Sequence, residues 1–345
     1  MSITTQLGRI SYLARHIRNF MPYITPRKIA NAILNIIETK YRVVSLHSYP
    51  PYLKIESTPV CHLRCVTCSH SNLDFKRQFN ASMNLTLERF KMIIDPVVST
   101  TLGVSLSFRG EPMLNQELPK IVAYAYQKGI GTSFPTSLSV PLNQRKADEY
   151  VLSGLDALYI SLDGATKETY DRYRIGGSFE TVLANTKLLA ETKRRLHTNK
   201  PRLIWKMVIF DYNRHELPVQ ERTYRELGFD SFEHVLDNHG SEFTEMRSRN
   251  NRSMIESKSN CMWLWNTMVI TSLGDVFPCC HDKNINLGNA ATVGIPQIWR
   301  GGSYRALRSP FASKSYGKGM NSQCRECIGL PAAEPSLIVL KSNHT

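Results

Sequence analysis

The chain carries no apolar run long enough to cross a bilayer. The longest, from Met262 to Leu273, is interrupted by Asn266 and Thr267, short of the roughly 20 apolar residues a helical span requires. Nor does the beginning of the chain contain an uninterrupted apolar stretch of the secretory kind, because Arg9, Arg15 and Arg18 punctuate it. A reducing, cytoplasmic setting is the expectation, and there clustered cysteines read as metal or redox ligands rather than disulfides. Acids are scarce: 29 Asp and Glu stand against 43 Lys and Arg, a formal net charge of +14. That balance favours an acidic partner (a phosphorylated small molecule, anionic lipid, nucleic acid or acidic peptide) without choosing among them, and a basic surface serving only solubility stays open. Specific nucleic-acid binding is not expected, since no signature for it is present and no basic block interleaves with aromatics. Low-complexity tracts and internal repeats are absent as well. What remains is an ordinary globular composition, 345 residues with 42% hydrophobic and 21% charged, enough for one large or two medium domains.

Cysteine is neither scarce nor scattered. Cys61, Cys65 and Cys68 sit at C-x3-C-x2-C spacing just after the apolar run of Tyr52, Leu53 and Ile55. A tight loop with this spacing can aim three thiolates at one small volume, as an iron–sulfur cluster requires. Three ligands on a four-iron cube leave one iron open to a substrate or cofactor. The competing reading is three buried small residues, or a disulfide and a spare thiol.

Taken in order, residues 1–50 read as a basic helical extension. Leu7, Ile10, Leu13, Ile17 and Phe20 recur at helical spacing, and after Pro26 so do Ile29, Ile33, Ile36, Ile37 and Tyr41. Seven bases lie here against the single acid Glu38. The expectation is that both apolar stripes pack on the main domain or on a second subunit. The competing reading is peripheral contact of residues 1–45 with an anionic membrane. From about residue 51 to 240, strand-like runs (53–55, 102–108, 131–134, 157–162, 203–209, 232–236) alternate with helical ones (85–98, 118–128, 142–152, 179–196, 216–227). This predicts an α/β fold, a mainly parallel sheet with helical crossovers. Six units fall short of a full eight-unit barrel, and the working residues of such folds gather at the C-terminal ends of strands. The cysteine loop, the segment Gly110, Glu111, Pro112, and the segment Ser161, Leu162, Asp163, Gly164 would all lie there and share one face. Residues 241–260 are polar and read as a linker. A second compact region, 261–330, is predicted to contain a hairpin turned by Gly274 and Asp275; a tail of residues 331–345 follows.

Three motifs together resemble the radical S-adenosylmethionine (radical SAM) superfamily. The first is the three-cysteine loop after the first strand. Phe108, Arg109, Gly110, Glu111, Pro112 is similar to the family's Gly-Gly-Glu-Pro segment, with Arg109 in place of the first glycine. Ile160, Ser161, Leu162, Asp163, Gly164 is similar to its Ser-Leu-Asp-Gly segment on the fourth strand. The resemblance implies an incomplete (βα)6 barrel and a SAM-binding [4Fe–4S] cluster on Cys61, Cys65 and Cys68. It further implies that Gly110, Glu111 and Pro112 hold the SAM amino group, that Ser161 contacts SAM, and that Asp163 shapes the pocket. Arg174 is the candidate for the SAM carboxylate, the alternative being an ordinary surface charge. Thr136, Ser137, Leu138 stands where the family has Thr-Asn-Gly. In such enzymes an electron from the reduced cluster cleaves SAM, and the resulting 5′-deoxyadenosyl radical takes hydrogen from a substrate carbon. The electron comes from a donor such as flavodoxin or ferredoxin.

The other five cysteines form a second pattern. Cys261, Gly274 and Cys279 fit C-x12-G-x4-C, and Cys324 and Cys327 form C-x2-C. This resembles the auxiliary-cluster domains of the SPASM and twitch subgroups, and since no cysteine follows Cys327 the single-cluster twitch arrangement fits better. Cys261, Cys279, Cys324 and Cys327 would ligate an auxiliary [4Fe–4S] cluster, with Cys280 spare. Four thiolates suit structural zinc equally well on spacing alone. A fully ligated cluster has an electron-relay role, which implies a two-electron oxidation or related modification of a sugar- or cyclitol-like metabolite. The alternatives are maturation of a ribosomal peptide, modification of a membrane lipid or lipid-linked sugar, and a non-enzymatic zinc-binding interaction protein. Asp237 and His239, after the sixth strand, are the candidate proton acceptors, with Lys206 and Asp211 weaker ones.

Overall fold

The computed structural model describes residues 21–236, 261–280, 285–314 and 320–327. The sequence-predicted helix over Leu7 to Phe20, the linker at 241–260, the tail at 331–345, and Asp237 and His239 lie outside the described residues.

All six expected strands are present: β1 (Tyr52–Ile55), β2 (Gly103–Ser105), β3 (Gly131–Thr136), β4 (Ala157–Ser161), β5 (Arg202–Ile209) and β6 (Ser231–Leu236). They are parallel, each pairing with the next in sequence. Between them run α3 (Leu87–Ile94), α4 (Leu118–Gln127), α5 (Gln144–Leu152), α7 (Phe179–Arg195) and α8 (Leu217–Thr223); the short helices α2 (Leu73–Arg77) and α6 (Lys167–Tyr173) follow the cysteine loop and β4. The helix starts are set locally. Asn143 and Ser178, as N-caps, accept hydrogen bonds from the N–H groups of Lys146 and Thr181, satisfying donors the first turn would otherwise leave orphaned. On β1 the alternation is strict: Leu53 and Ile55 are fully buried toward the helical layer, so Tyr52 and Lys54 turn to the other face, the lumen.

The expected hairpin is present, but not as a separate region. β7 (Thr267–Ile270) lies parallel to β1, with Leu53 opposite Met268, and β8 (Val276–Phe277) is antiparallel to β7. The eight-stranded sheet runs β6-β5-β4-β3-β2-β1-β7-β8. Beyond it, α10 (Ile295–Trp299) and α11 (Gly302–Ala312) are tied to the barrel by polar contacts. The indole N–H of Trp299 donates to the Ser48 carbonyl, and the buried Arg308 donates to the carbonyls of Leu264, Val44 and Trp299.

The helix after Pro26 is α1 (Pro26–Lys40), capped by Thr25. Its orientation reverses the expectation that the apolar stripe packs on the main domain. Lys28, Asn31, Asn35, Glu38 and Thr39 are buried, whereas Ile29, Ile33, Leu34, Ile36 and Ile37 face outward, Ile36 being 66% exposed. The reason lies in what the helix covers. Lys28 Nζ donates to the Gly129 carbonyl, and Asn31 Nδ2 donates to the carbonyls of Tyr49 and Thr100. Asn35 Nδ2 donates to Ser48 Oγ and to the Trp265 carbonyl at 2.7 Å. Gly129, Thr100 and Tyr49 lie in the turns leading into β3, β2 and β1. The surface beneath α1 is the N-terminal edge of the parallel sheet, which offers polar backbone. A polar helix face satisfies it, and the apolar stripe is left pointing away.

Candidate active site

At the opposite, C-terminal edge of the sheet the chain leaves β1 through Glu56, whose carboxylate is fully buried. Arg109 meets it with two side-chain bonds, Nε to Oε1 at 2.6 Å and Nη2 to Oε2 at 3.0 Å. Ser272, in the corner between β7 and β8, donates to it through both its N–H and its hydroxyl. The arginine that replaces the first glycine of the motif is thereby explained: it is the partner of a buried acid that binds three strand ends together. Sequence reasoning missed Glu56. The available signal was an acid directly following an apolar strand.

Next comes the turn at Gly110. Its φ of +67° is in the left-handed region, and a Cβ there would stand 2.2 Å from the Thr58 carbonyl oxygen; only glycine fits. The close approach lets Glu111 N–H donate to the Val60 carbonyl at 2.8 Å, one residue before Cys61. The Glu111 carboxylate accepts four bonds, from Thr136 Oγ1, from Ser137 N–H and Oγ, and from Met113 N–H. These use the acceptor capacity of its two oxygens, so the acid ties β2 to β3 before it contacts anything else. Ser137 fills the role of β3 anchor where the family pattern has Asn, and Leu138 takes φ +52° where the pattern has Gly.

Cys61, Cys65 and Cys68 line one cavity of about 520 Å³ together with Glu111, Ser161 and Arg174. Burial pushes the Cys61 thiol up to about 12, with Glu111 adding to the shift. Cys65 is also raised by burial, opposed by Arg174. Cys68 is also desolvated, the largest single effect, but side-chain and backbone bonds with His70, together with the charges of His70 and Arg174, sum to more and carry it below the ordinary thiol value. His70 itself is buried and held through Nε2 to the Pro59 carbonyl. Arg174 is not a surface charge. Its Nε and Nη2 are each 2.5 Å from Asp163 Oδ2, and Nη1 is 3.5 Å from Cys65 Sγ. Burial alone would lower its pKa; Asp163 and then Cys65 outweigh that and raise it. Asp163 also accepts from Val208 N–H, so it fixes Arg174 against the loop from behind the cavity wall.

The expected face is therefore assembled: the three thiols, Gly110, Glu111, Ser161 and Arg174 share one cavity, with Pro112 and Asp163 behind it. A second chamber of about 400 Å³ lies in the barrel lumen, lined by Tyr52, Lys54, Ser105, Tyr159, Lys206 and Glu233 among others.

The remaining cysteines lie along the β7–β8 side. Cys261 precedes the short helix α9 (Trp263–Asn266), and Cys324 and Cys327 are on α12 (Ser322–Cys327). Burial raises the Cys261 thiol, and Cys327 is near enough to add to the shift. Cys324 and Cys261 pack on the same core. Cys279 is near enough to act on the buried Tyr304, whereas its neighbour Cys280 lines the cavity of the three thiols. Adjacent in sequence, the two face different surroundings. No three His, Cys, Asp or Glu side chains among the described residues converge where a single ion would bind. The loop thiols instead surround a common space, which suits a multi-iron cluster better than one zinc ion.

Comparison with known proteins agrees with this geometry. A family model described as the radical SAM superfamily matches residues 55–199, and one described as an iron–sulfur cluster-binding domain, SPASM, matches residues 261–328. The chain is 30% identical over 136 residues to the Fe-coproporphyrin III synthase of Methanosarcina barkeri, covering 39% of this chain and 32% of the relative. It is 28% identical over 137 residues to the S-adenosylmethionine-dependent nucleotide dehydratase of Selenomonas ruminantium, covering 39% and 47%. The matched stretches thus span 32% and 47% of these relatives, less than half of either. Among solved structures, SuiB of Streptococcus suis bound to S-adenosylmethionine shares the fold, with a TM-score of 0.61 at 15% identity, covering 79% of this chain and 70% of SuiB.

Proposed function

We propose, for a chain that belongs to the radical SAM superfamily and carries a SPASM domain, that it removes hydrogen from a substrate carbon and passes an electron to a second cluster. The two domains imply two [4Fe–4S] clusters and SAM. The observation that carries the reading is the single cavity in which the three loop thiols meet the Gly110 turn, Ser161 and Arg174. Bound there, the cluster and SAM would supply the electron and the 5′-deoxyadenosyl radical. The chain's own part is placement. Cys61, Cys65 and Cys68 would hold the first cluster, with Arg174 supporting Cys65. The backbone at Gly110 and the Ser161 hydroxyl are left to meet SAM, since the Glu111 oxygens are already engaged. Cys261, Cys279, Cys324 and Cys327 would hold the second cluster. The substrate class we favour is a sugar- or cyclitol-like metabolite undergoing a two-electron oxidation, supported by the hydroxyl-rich lumen of Tyr52, Ser105, Ser133 and Tyr159. A small one-electron donor of the flavodoxin or ferredoxin kind would reduce the first cluster.

Anaerobic reconstitution should give about eight irons per chain, as two four-iron clusters require. Cys65→Ala should lose 5′-deoxyadenosine formation while the second cluster stays. Four irons with one zinc would remove the electron relay, and SAM cleavage persisting in Cys65→Ala would remove the site.

One observation favours an added membrane contact: the outward apolar stripe of α1, flanked by the exposed Arg27 and Lys40. That stripe is at the sheet edge opposite the thiols, so it would anchor the protein rather than feed lipid into the site. Ile33→Glu with Ile36→Glu should abolish sedimentation with phosphatidylglycerol vesicles at unchanged melting temperature. Equal sedimentation of both proteins would end this reading.

A further inference from the structure

Two lysines stand at the neck between the chambers. Lys54 projects into the lumen from β1 and Lys206 from β5, between the buried Trp205 and Met207. With Pro135, they are the residues common to the linings of both the lumen chamber and the thiol cavity. The other bases of the cavity are satisfied: Arg109 by Glu56 and Arg174 by Asp163. Neither Lys54 nor Lys206 has a side-chain hydrogen bond or ion pair among the described residues. Glu233 lies beside Lys206 in the register of β5 and β6 and lines the lower chamber, but it does not close on either lysine.

We infer that Lys54 and Lys206 form an anion site for a phosphoryl group of the substrate, which this neck would anchor with the rest of the molecule rising toward the thiols. The inference rests on the radical SAM reading and gives its substrate a chemical class. Two like charges confined in a poorly solvated neck repel each other, and an anion between them turns repulsion into attraction. Consistent with that crowding, burial pulls the Lys54 ammonium below the usual lysine value; Cys280 opposes the shift and Lys206 adds to it. Lysines act on phosphate as point charges, whereas a carboxylate is matched by the planar arginine fork; both arginines here are already engaged. The neighbouring hydroxyls of Ser105 and Ser133, within reach of Tyr52, extend the donors a phosphoryl group would need.

The test uses the reconstituted enzyme, pyridoxal 5′-phosphate, borohydride and peptide mapping. Lys54 or Lys206 should be the principal lysine labelled, unphosphorylated pyridoxal should label it at least about tenfold less, and inorganic phosphate should protect it where acetate does not. Lys54→Met and Lys206→Met should each remove the phosphate protection at unchanged iron content. Two variants are used so that one misfolded protein does not decide the outcome. Equal labelling by pyridoxal, or equal protection by acetate, would overturn the phosphoryl site. Formation of 5′-deoxyadenosine, measured separately without substrate, distinguishes the two failures. Cleavage without phosphate-dependent labelling sinks only the anion site; labelling without cleavage sinks only the radical reading.

Discussion

Replacing Arg109 with methionine keeps an unbranched apolar stem and removes the guanidinium with its charge. What it leaves behind can be worked out. Glu56 is fully buried and accepts from Arg109 Nε, Nη2 and backbone N–H, and from Ser272 N–H and Oγ. The variant loses the first two bonds and, among the described residues, the only positive charge paired with the carboxylate. Hydrogen bonds to charged groups contribute about 1.5–3 kcal/mol each, giving about 3–6 kcal/mol for two. Breaking one side of a buried ion pair costs about 3–5 kcal/mol, and the two routes agree. Urea titration of the metal-free chain, followed by both far-ultraviolet dichroism and tryptophan fluorescence, measures the loss, provided the two transitions coincide. Glu56→Gln in the same background supplies the cycle. If the pair is the cause, the double variant should recover at least about 2 kcal/mol relative to the sum of the single losses. A loss below about 1 kcal/mol for Arg109→Met, with additive single effects, would refute the view that this arginine exists to neutralise Glu56.

Two further outcomes follow from local geometry. Gly110→Ala should cost about 1–2 kcal/mol for the left-handed backbone and a further 1–3 kcal/mol, roughly, for crowding Thr58 and Val60. Its signature should be loss of the loop cluster, with iron falling from about eight toward four per chain; a full complement of iron would show that the turn does not hold the loop. Lys28, 3% exposed and donating to the Gly129 carbonyl, has its ammonium pulled down by burial to about 8. The unfolded chain holds that proton more tightly, so the penalty is fully present below pH 8 and fades as pH rises toward the ordinary lysine value near 10.4. Lys28→Met should flatten this rise in stability between pH 8 and 10, and parallel pH profiles for the two proteins would remove the assignment.

The barrel was legible because its strands and helices carry strong periodicity and end in turn chemistry, and because the three motifs fall at strand ends. Three features were not legible, for different physical reasons. The apolar stripe of α1 was visible, but its direction was not. Periodicity states that a helix has two faces, while the choice of buried face depended on polar backbone at the edge of a sheet formed by residues far along the chain, such as Gly129 and Trp265. The joining of β7 to β1 was hidden because parallel pairing between residues 53 and 268 leaves no local trace in either segment. The role of Arg109 was open because its partner Glu56 comes from another motif; a bidentate pair is a property of two positions, and sequence spacing brings neither to the other.

The position of Cys280 connects the two halves of the site. The pattern of spacings left it as a spare thiol, adjacent to a ligand. In the structure it lines the cavity of Cys61, Cys65 and Cys68, and it acts on Lys54 at the neck, while Cys279 acts on Tyr304. The segment after β8 therefore carries Cys279 toward Tyr304 and Cys280 into the cavity of the three loop thiols. This follows from the sheet order, since β7 pairs with β1, the strand that launches the cysteine loop, and β8 lies one strand further out. On the proposed reading, an electron reaching that cavity would have one peptide unit between its wall and a residue proposed to ligate the second cluster. The tertiary pairing that the sequence concealed is thus what the proposed relay between the two clusters would depend on.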